Sequence, residues 1–173
     1  MAPHIPGSID GNLLGLYLSD HLTGATAGVS RIQRMAEAFA DTPVSAELSR
    51  VSAEITKERE VLLGLIHDLG VRQRPHRQAA AWLAEHAGRL KLNGRIVRRS
   101  PMTMVLEAEL MRAAILGKLG GWQTLEELAP DLGLDPARFA ALGDDARSQI
   151  EALSRVHEHA RRNAFRQKRD IGS

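Results

Sequence analysis

The chain has 173 residues, with 43% hydrophobic and 25% charged side chains and a formal net charge of +2. It is long enough for one domain that buries roughly 70% of the surface its unfolded chain exposes. The absence of cysteine excludes disulfides, thiolate metal sites and thiol nucleophiles. That absence suits a reducing compartment, so a cytoplasmic protein is expected, and since no apolar run reaches the ~18 residues of a membrane helix, no membrane span is expected either.

In chain order, residues 1–9 hold Pro3, Pro6, Gly7 and Ser8 and read as a flexible lead-in. A first helix is predicted from about Asp10 to Ala40, with an inward seam through Leu14, Leu18, His21, Ala25, Gly28, Ile32, Met35 and Phe39. Thr42-Pro43 predicts the start of a second helix, since proline suits the first helical position and the hydroxyl can cap free amides. Its seam is Val44, Leu48, Val51, Ile55, Glu58, Leu62, Leu65 and Leu69, and Gly70 supplies the left-handed residue that ends it. So short a connection folds the two helices back on each other as a hairpin.

Val71 to Pro75 interrupts the pattern, and His76 to about Leu92 has the period of a short crossing helix, ending before Asn93-Gly94. Ser100-Pro101 opens a third long helix reaching about Leu128. Pro130 and Gly133 close it, and Asp135-Pro136 opens a fourth, with its seam through Phe139, Leu142, Ala146, Ile150, Leu153, His157, Ala160 and Ala164. Residues 10–165 form the predicted bundle domain, and 166–173 a basic, flexible tail. Glycines inside helices cost about 1 kcal/mol each against alanine. Gly24 and Gly28 in the first helix, and Gly117, Gly120 and Gly121 in the third, therefore predict close helix–helix packing, with a ligand slot as the other reading.

A hairpin of long helices, a crossover with its own short helix and two further long helices make an all-α, antiparallel four-helix bundle whose order resembles the ferritin-like superfamily, in particular small bacterial ferritin-like stress proteins. The resemblance implies inward glutamates and Glu-x-x-His pairs that hold two metal ions. Here, three residues after Glu54, Glu58 and Glu60 stand Lys57, Val61 and Leu63. After Glu107 and Glu109 stand Leu110 and Arg112, and after Glu151 and Glu158 stand Ser154 and Arg161. The remaining candidate ligands for iron or manganese are His21, Glu58, Glu109 and His157. In the hairpin Glu58 falls opposite about Thr26, roughly 7 Å along the axis from His21. The alternative for the same residues is a hydrogen-bonded core histidine at His21, an ion pair from Glu58 to a nearby Lys or Arg, and an edge position for His157.

Charge is uneven along the chain. Between Arg72 and Arg99 eight basic side chains stand against Glu85 alone, eight minus one giving +7. Arg89, Lys91, Arg95, Arg98 and Arg99 are the candidate grip for an anionic partner, such as nucleic acid or an anionic lipid surface; the alternative is a solvated belt facing Glu126, Glu127 and Asp131. With six aromatic residues other than histidine, stacking platforms for single strands are not expected, and Trp82 and Trp122 read as packing anchors. The expected function is that of a non-catalytic, metal-free, ferritin-like bundle acting in interaction or stress response, self-associating as a homodimer. The alternatives are a di-metal oxidase and an anion-binding module.

Overall fold

Residues 5–71 and 101–166 are described by the computed structural model of the chain, and all the regular structure within them is helical. They form α1 (Gly11–Ala38), α2 (Ser45–Asp68), α3 (Pro101–Leu128) and α4 (Pro136–Ala164). The predicted crossing helix, the Asn93-Gly94 turn, Trp82 and the basic residues from Arg72 to Arg99 lie outside the described residues.

Local chemistry sets the helix ends. The Asp10 carboxylate accepts from the amides of Asn12 and Leu13, at 2.9 and 3.1 Å, and so starts α1. Thr42 does not cap α2. Its hydroxyl donates back to the Phe39 carbonyl at 2.7 Å, and α2 begins three residues later than Thr42, at Ser45. The hydroxyl joins the Thr42 amide, at 3.1 Å, on a carbonyl at the end of α1 and so faces away from the amides of α2. Gly70 takes a φ of 62° just past α2, and Gly133 one of 67° between α3 and α4, both in the left-handed region that glycine enters without strain. Asp135 then caps α4 by accepting from the Ala137 amide at 2.9 Å, with Pro136 at the first helical position.

α1 packs along α2, and α3 along α4; α1 also meets α3, and α2 meets α4. Leu18, Ile32, Leu48, Ile66, Met111, Leu125, Phe139 and Leu153 are sealed at the centre. Burying each aliphatic side chain of this kind contributes about 1.5–3 kcal/mol. The bonded pairs fix the register. Tyr17 meets Thr124 and Arg31 meets Glu107 between α1 and α3, while Arg59 donates to Thr26 between α2 and α1, one residue from the facing predicted for Glu58. Ile5 and Ile9, in the stretch expected to be flexible, pack against the core.

Two seams depart from their predicted course. In α1 the ends are buried, at Leu14, Leu18, Ile32, Met35 and Phe39, but His21, Ala25 and Gly28 in the middle are only part-buried. In α4 the buried positions include Gly143, Gln149 and Val156, whereas Leu142, Ile150 and His157 are part-buried. In α4 the reason is Gln149: a hydrophobic-period reading passes over a polar residue, yet this amide is 0% exposed because its partners come from α2 and α3.

Candidate functional site

The part-buried middle of α1 faces a cleft of about 440 Å³ walled by α1, α2 and α3. Most of its lining is apolar, with Leu18, Ile55, Leu62 and Leu125 at its depth and the backbone of Gly24 and Gly117 on its sides. These glycines correct the packing expectation. Among the described residues nothing lies within 4 Å of where a Cβ would stand on Gly24, Gly28, Gly117 or Gly120, so these glycines bring none of the four described helices together. Gly121 is the exception, where an added Cβ would lie 2.9 Å from His21 Cε1. At that point α1 and α3 come close; one turn further on they flank open space.

One wall of the cleft is a charged network. The Lys118 ammonium, on α3, donates to Glu58 on α2 and to the Gln149 side-chain oxygen on α4. The Gln149 amide nitrogen in turn donates to Glu58 at 2.7 Å and to Glu54 at 3.2 Å. Glu58 is only 5% exposed, and a carboxylate so buried needs this much company. Desolvation pushes the Lys118 ammonium below its ordinary pKa, opposed by the charges of Glu58, Glu54 and Asp145. Three of the four helices thus meet through one ammonium, two carboxylates and an amide.

The opposite wall holds His21, Asp20 and Tyr17. The His21 ring packs edge-on to Tyr17 with centroids 4.5 Å apart. Burial lowers the His21 pKa, and the neighbouring Asp20 carboxylate works the other way. Among the described residues neither His21 nitrogen has a hydrogen-bond partner, which differs from the hydrogen-bonded core histidine that the sequence allows. The Tyr17 hydroxyl is tied to Thr124 at 3.0 Å. Two polar atoms of the lining, Asp20 Oδ1 and Trp122 Nε1, are buried without a partner among the described residues. Each such group costs about 1–3 kcal/mol. Trp122 is 3% exposed and stacks on Phe139 at 6.5 Å, the anchoring role predicted for it.

The four candidate metal ligands fall into two places. His21 and Glu58 line the cleft. His157 and Glu109 pair with each other at 3.0 Å, where Glu109 is half exposed, nine residues or roughly 13 Å along α3 from Lys118. Among the described residues no group of three or more His, Asp or Glu side chains is arranged to hold a metal ion. The donor set does not fit a carboxylate-bridged metal pair, because the carboxylate at the centre already holds a cation of the chain's own, Lys118. The proposed anion grip at Arg89, Lys91, Arg95, Arg98 and Arg99 lies outside the described residues.

Lys118, Gln149 and Asp20 were not singled out by sequence. Lys118 sits in the run Ala114-Ile115-Leu116-Gly117-Lys118-Leu119, and a lone cation inside an apolar helical stretch is the signal that identifies it. No family model, curated protein or solved structure matches this chain.

Proposed function

We propose that the chain is a non-catalytic helical-bundle protein, of antiparallel and ferritin-like helix order, that binds a small, largely apolar molecule in the cleft between α1, α2 and α3. The observation that carries this reading is the pair of glycines on the cleft walls. Gly24 and Gly117 each weaken their helix by about 1 kcal/mol relative to alanine, and among the described residues no neighbouring atom stands where a methyl group would strike it. Their cost is offset if the space they leave is used.

The pairing of early residues of α1 with late residues of α3, and of Glu47 in α2 with Arg155 in α4, supports opposed helix directions. It also supports a single long return between α2 and α3, as in the ferritin-like order. The network at Lys118 supports a metal-free reading, since the ammonium supplies the positive charge that Glu58 requires. It supports a binding role too, because Glu58 and Lys118 are occupied with each other and with Gln149. Homodimerisation belongs to the same reading. Met102, Leu106 and Leu116 are exposed within one face of α3, and sedimentation velocity as a function of concentration tests it.

Calorimetric titration with naphthyloxyethanol, an uncharged flat probe, tests the cleft. Saturable binding of one molecule per chain is expected, with Kd between about 10 µM and 1 mM for a ligand of this size. Gly117→Leu, which places a side chain in open space, should abolish binding while preserving the helical circular dichroism. Unchanged binding in that variant would overturn the assignment of the site.

A further inference from the structure

The charges on the cleft wall are Asp20, Glu58, Arg59 and Lys118. Three of them are matched: Lys118 with Glu58, and Arg59 with Glu60 just outside the lining. Asp20 is not. Among the described residues no Lys, Arg or His nitrogen comes within ion-pair distance of it, and its Oδ1 is buried with no partner at all. His21, next to it in sequence, is held toward its neutral form by burial and does not supply the missing positive charge. The lining's formal charges balance, two acids against two bases, but Asp20 is the one of them with no ion-pair partner among the described residues, in a mainly apolar surround.

The register places what faces that charge. Tyr17 of α1 meets Thr124 of α3, so Asp20, three residues on, stands opposite residues 121–122, where the indole of Trp122 lines the cleft. Asp20, without a cation among the described residues, lines the same cleft as the aromatic residues Tyr17 and Trp122. Aromatic faces attract cations, and a desolvated carboxylate attracts them more strongly.

We propose that the molecule this cleft takes is an amphiphilic organic cation: an ammonium that pairs with Asp20 and a flat apolar body against the glycine walls. This rests on the cleft-binding reading above and names its ligand class. An anionic ligand would add a second negative charge beside Asp20. A neutral one would leave the buried carboxylate oxygen unmatched.

Three probes share one aromatic body and one ether oxygen: naphthyloxyethylamine (cation), naphthyloxyethanol (neutral) and naphthyloxyacetate (anion). Calorimetry on the full chain should rank the amine about tenfold or more above the alcohol, and the acetate below both. Asp20→Asn should bring the amine down to the affinity of the alcohol, with the alcohol unchanged, while Asp20→Glu keeps a preference for the amine. An amine that binds no tighter than the alcohol overturns the ligand class but leaves the cleft-binding reading standing. Binding by none of the three overturns both. A preference for the amine that survives Asp20→Asn places the cation elsewhere and overturns the role of Asp20. Should Asp20→Asn fail to fold, the amine-to-alcohol ratio in the unmodified chain decides.

Discussion

Replacing Lys118 by methionine keeps the length of the side chain and removes its charge, leaving Glu58 buried against Gln149 alone. Breaking a buried ion pair from one side costs about 3–5 kcal/mol. The Lys118 side chain is 16% exposed, and Glu58 retains the 2.7 Å bond from Gln149, so a value near the lower end, about 3 kcal/mol, is expected. At about 2–4 °C per kcal/mol for a chain of this size, the melting temperature should fall by about 6–12 °C. The reciprocal change, Glu58→Leu, should cost less, because burial already lowers the Lys118 pKa and the amine can shed its proton. In the double variant Glu58→Leu with Lys118→Met, both charges are gone and an apolar pair fills their place. Its stability should return to within about 1 kcal/mol of the parent, a coupling of about 2 kcal/mol or more. Urea denaturation followed by circular dichroism measures all four members of the cycle. If Lys118→Met costs less than about 1 kcal/mol, or if the double variant is as unstable as the sum of the single ones, the ammonium is not the counter-charge of Glu58.

His21 gives a pH dependence whose sign follows from its lowered pKa. The folded chain takes up this proton at lower pH than the unfolded chain, so the stability from neutral His21 is complete above about pH 6.5 and is lost as pH falls below it. Asp20, Tyr17 and the backbone at Gly121 are its neighbours. Stability should fall by more between about pH 7.5 and about pH 5 in the parent than in His21→Gln, so the two denaturation curves separate further in the parent, and equal losses in the two proteins would exclude this assignment. The glycines give a contrast of opposite signs. Gly121→Ala drives a Cβ to 2.9 Å from the His21 ring and should destabilise by about 1–3 kcal/mol, relieved when His21 is also alanine. Gly117→Ala meets nothing and should stabilise by up to about 1 kcal/mol, read by the same denaturation assay.

The sequence by itself determines the helices. Spacing of Leu14, Leu48, Leu62 and Leu153 at helical period marks the buried faces, and Asp10, Asp135-Pro136, Gly70 and Gly133 mark ends whose local chemistry needs no distant partner. The hairpin register near Thr26 also follows from chain length in a short turn. The pairing of Glu58 with a cation was among the sequence readings, but which cation was not, because Lys118 lies 60 residues away on another helix. Gln149 was missed for the same reason: a polar residue is buried only where tertiary partners satisfy it, and a periodicity of apolar residues carries no record of them. The glycines were legible as unusual but not in their sense. Close packing requires the absence of a side chain and a cleft wall only admits it, and only the separation of α1 and α3 distinguishes Gly121, pressed against His21, from Gly117, one turn away on the wall of a cleft. Local sequence fixes the conformation of each helix, whereas a cleft exists only between helices, so its shape and its unmatched charge were decided by how the helices stand against one another.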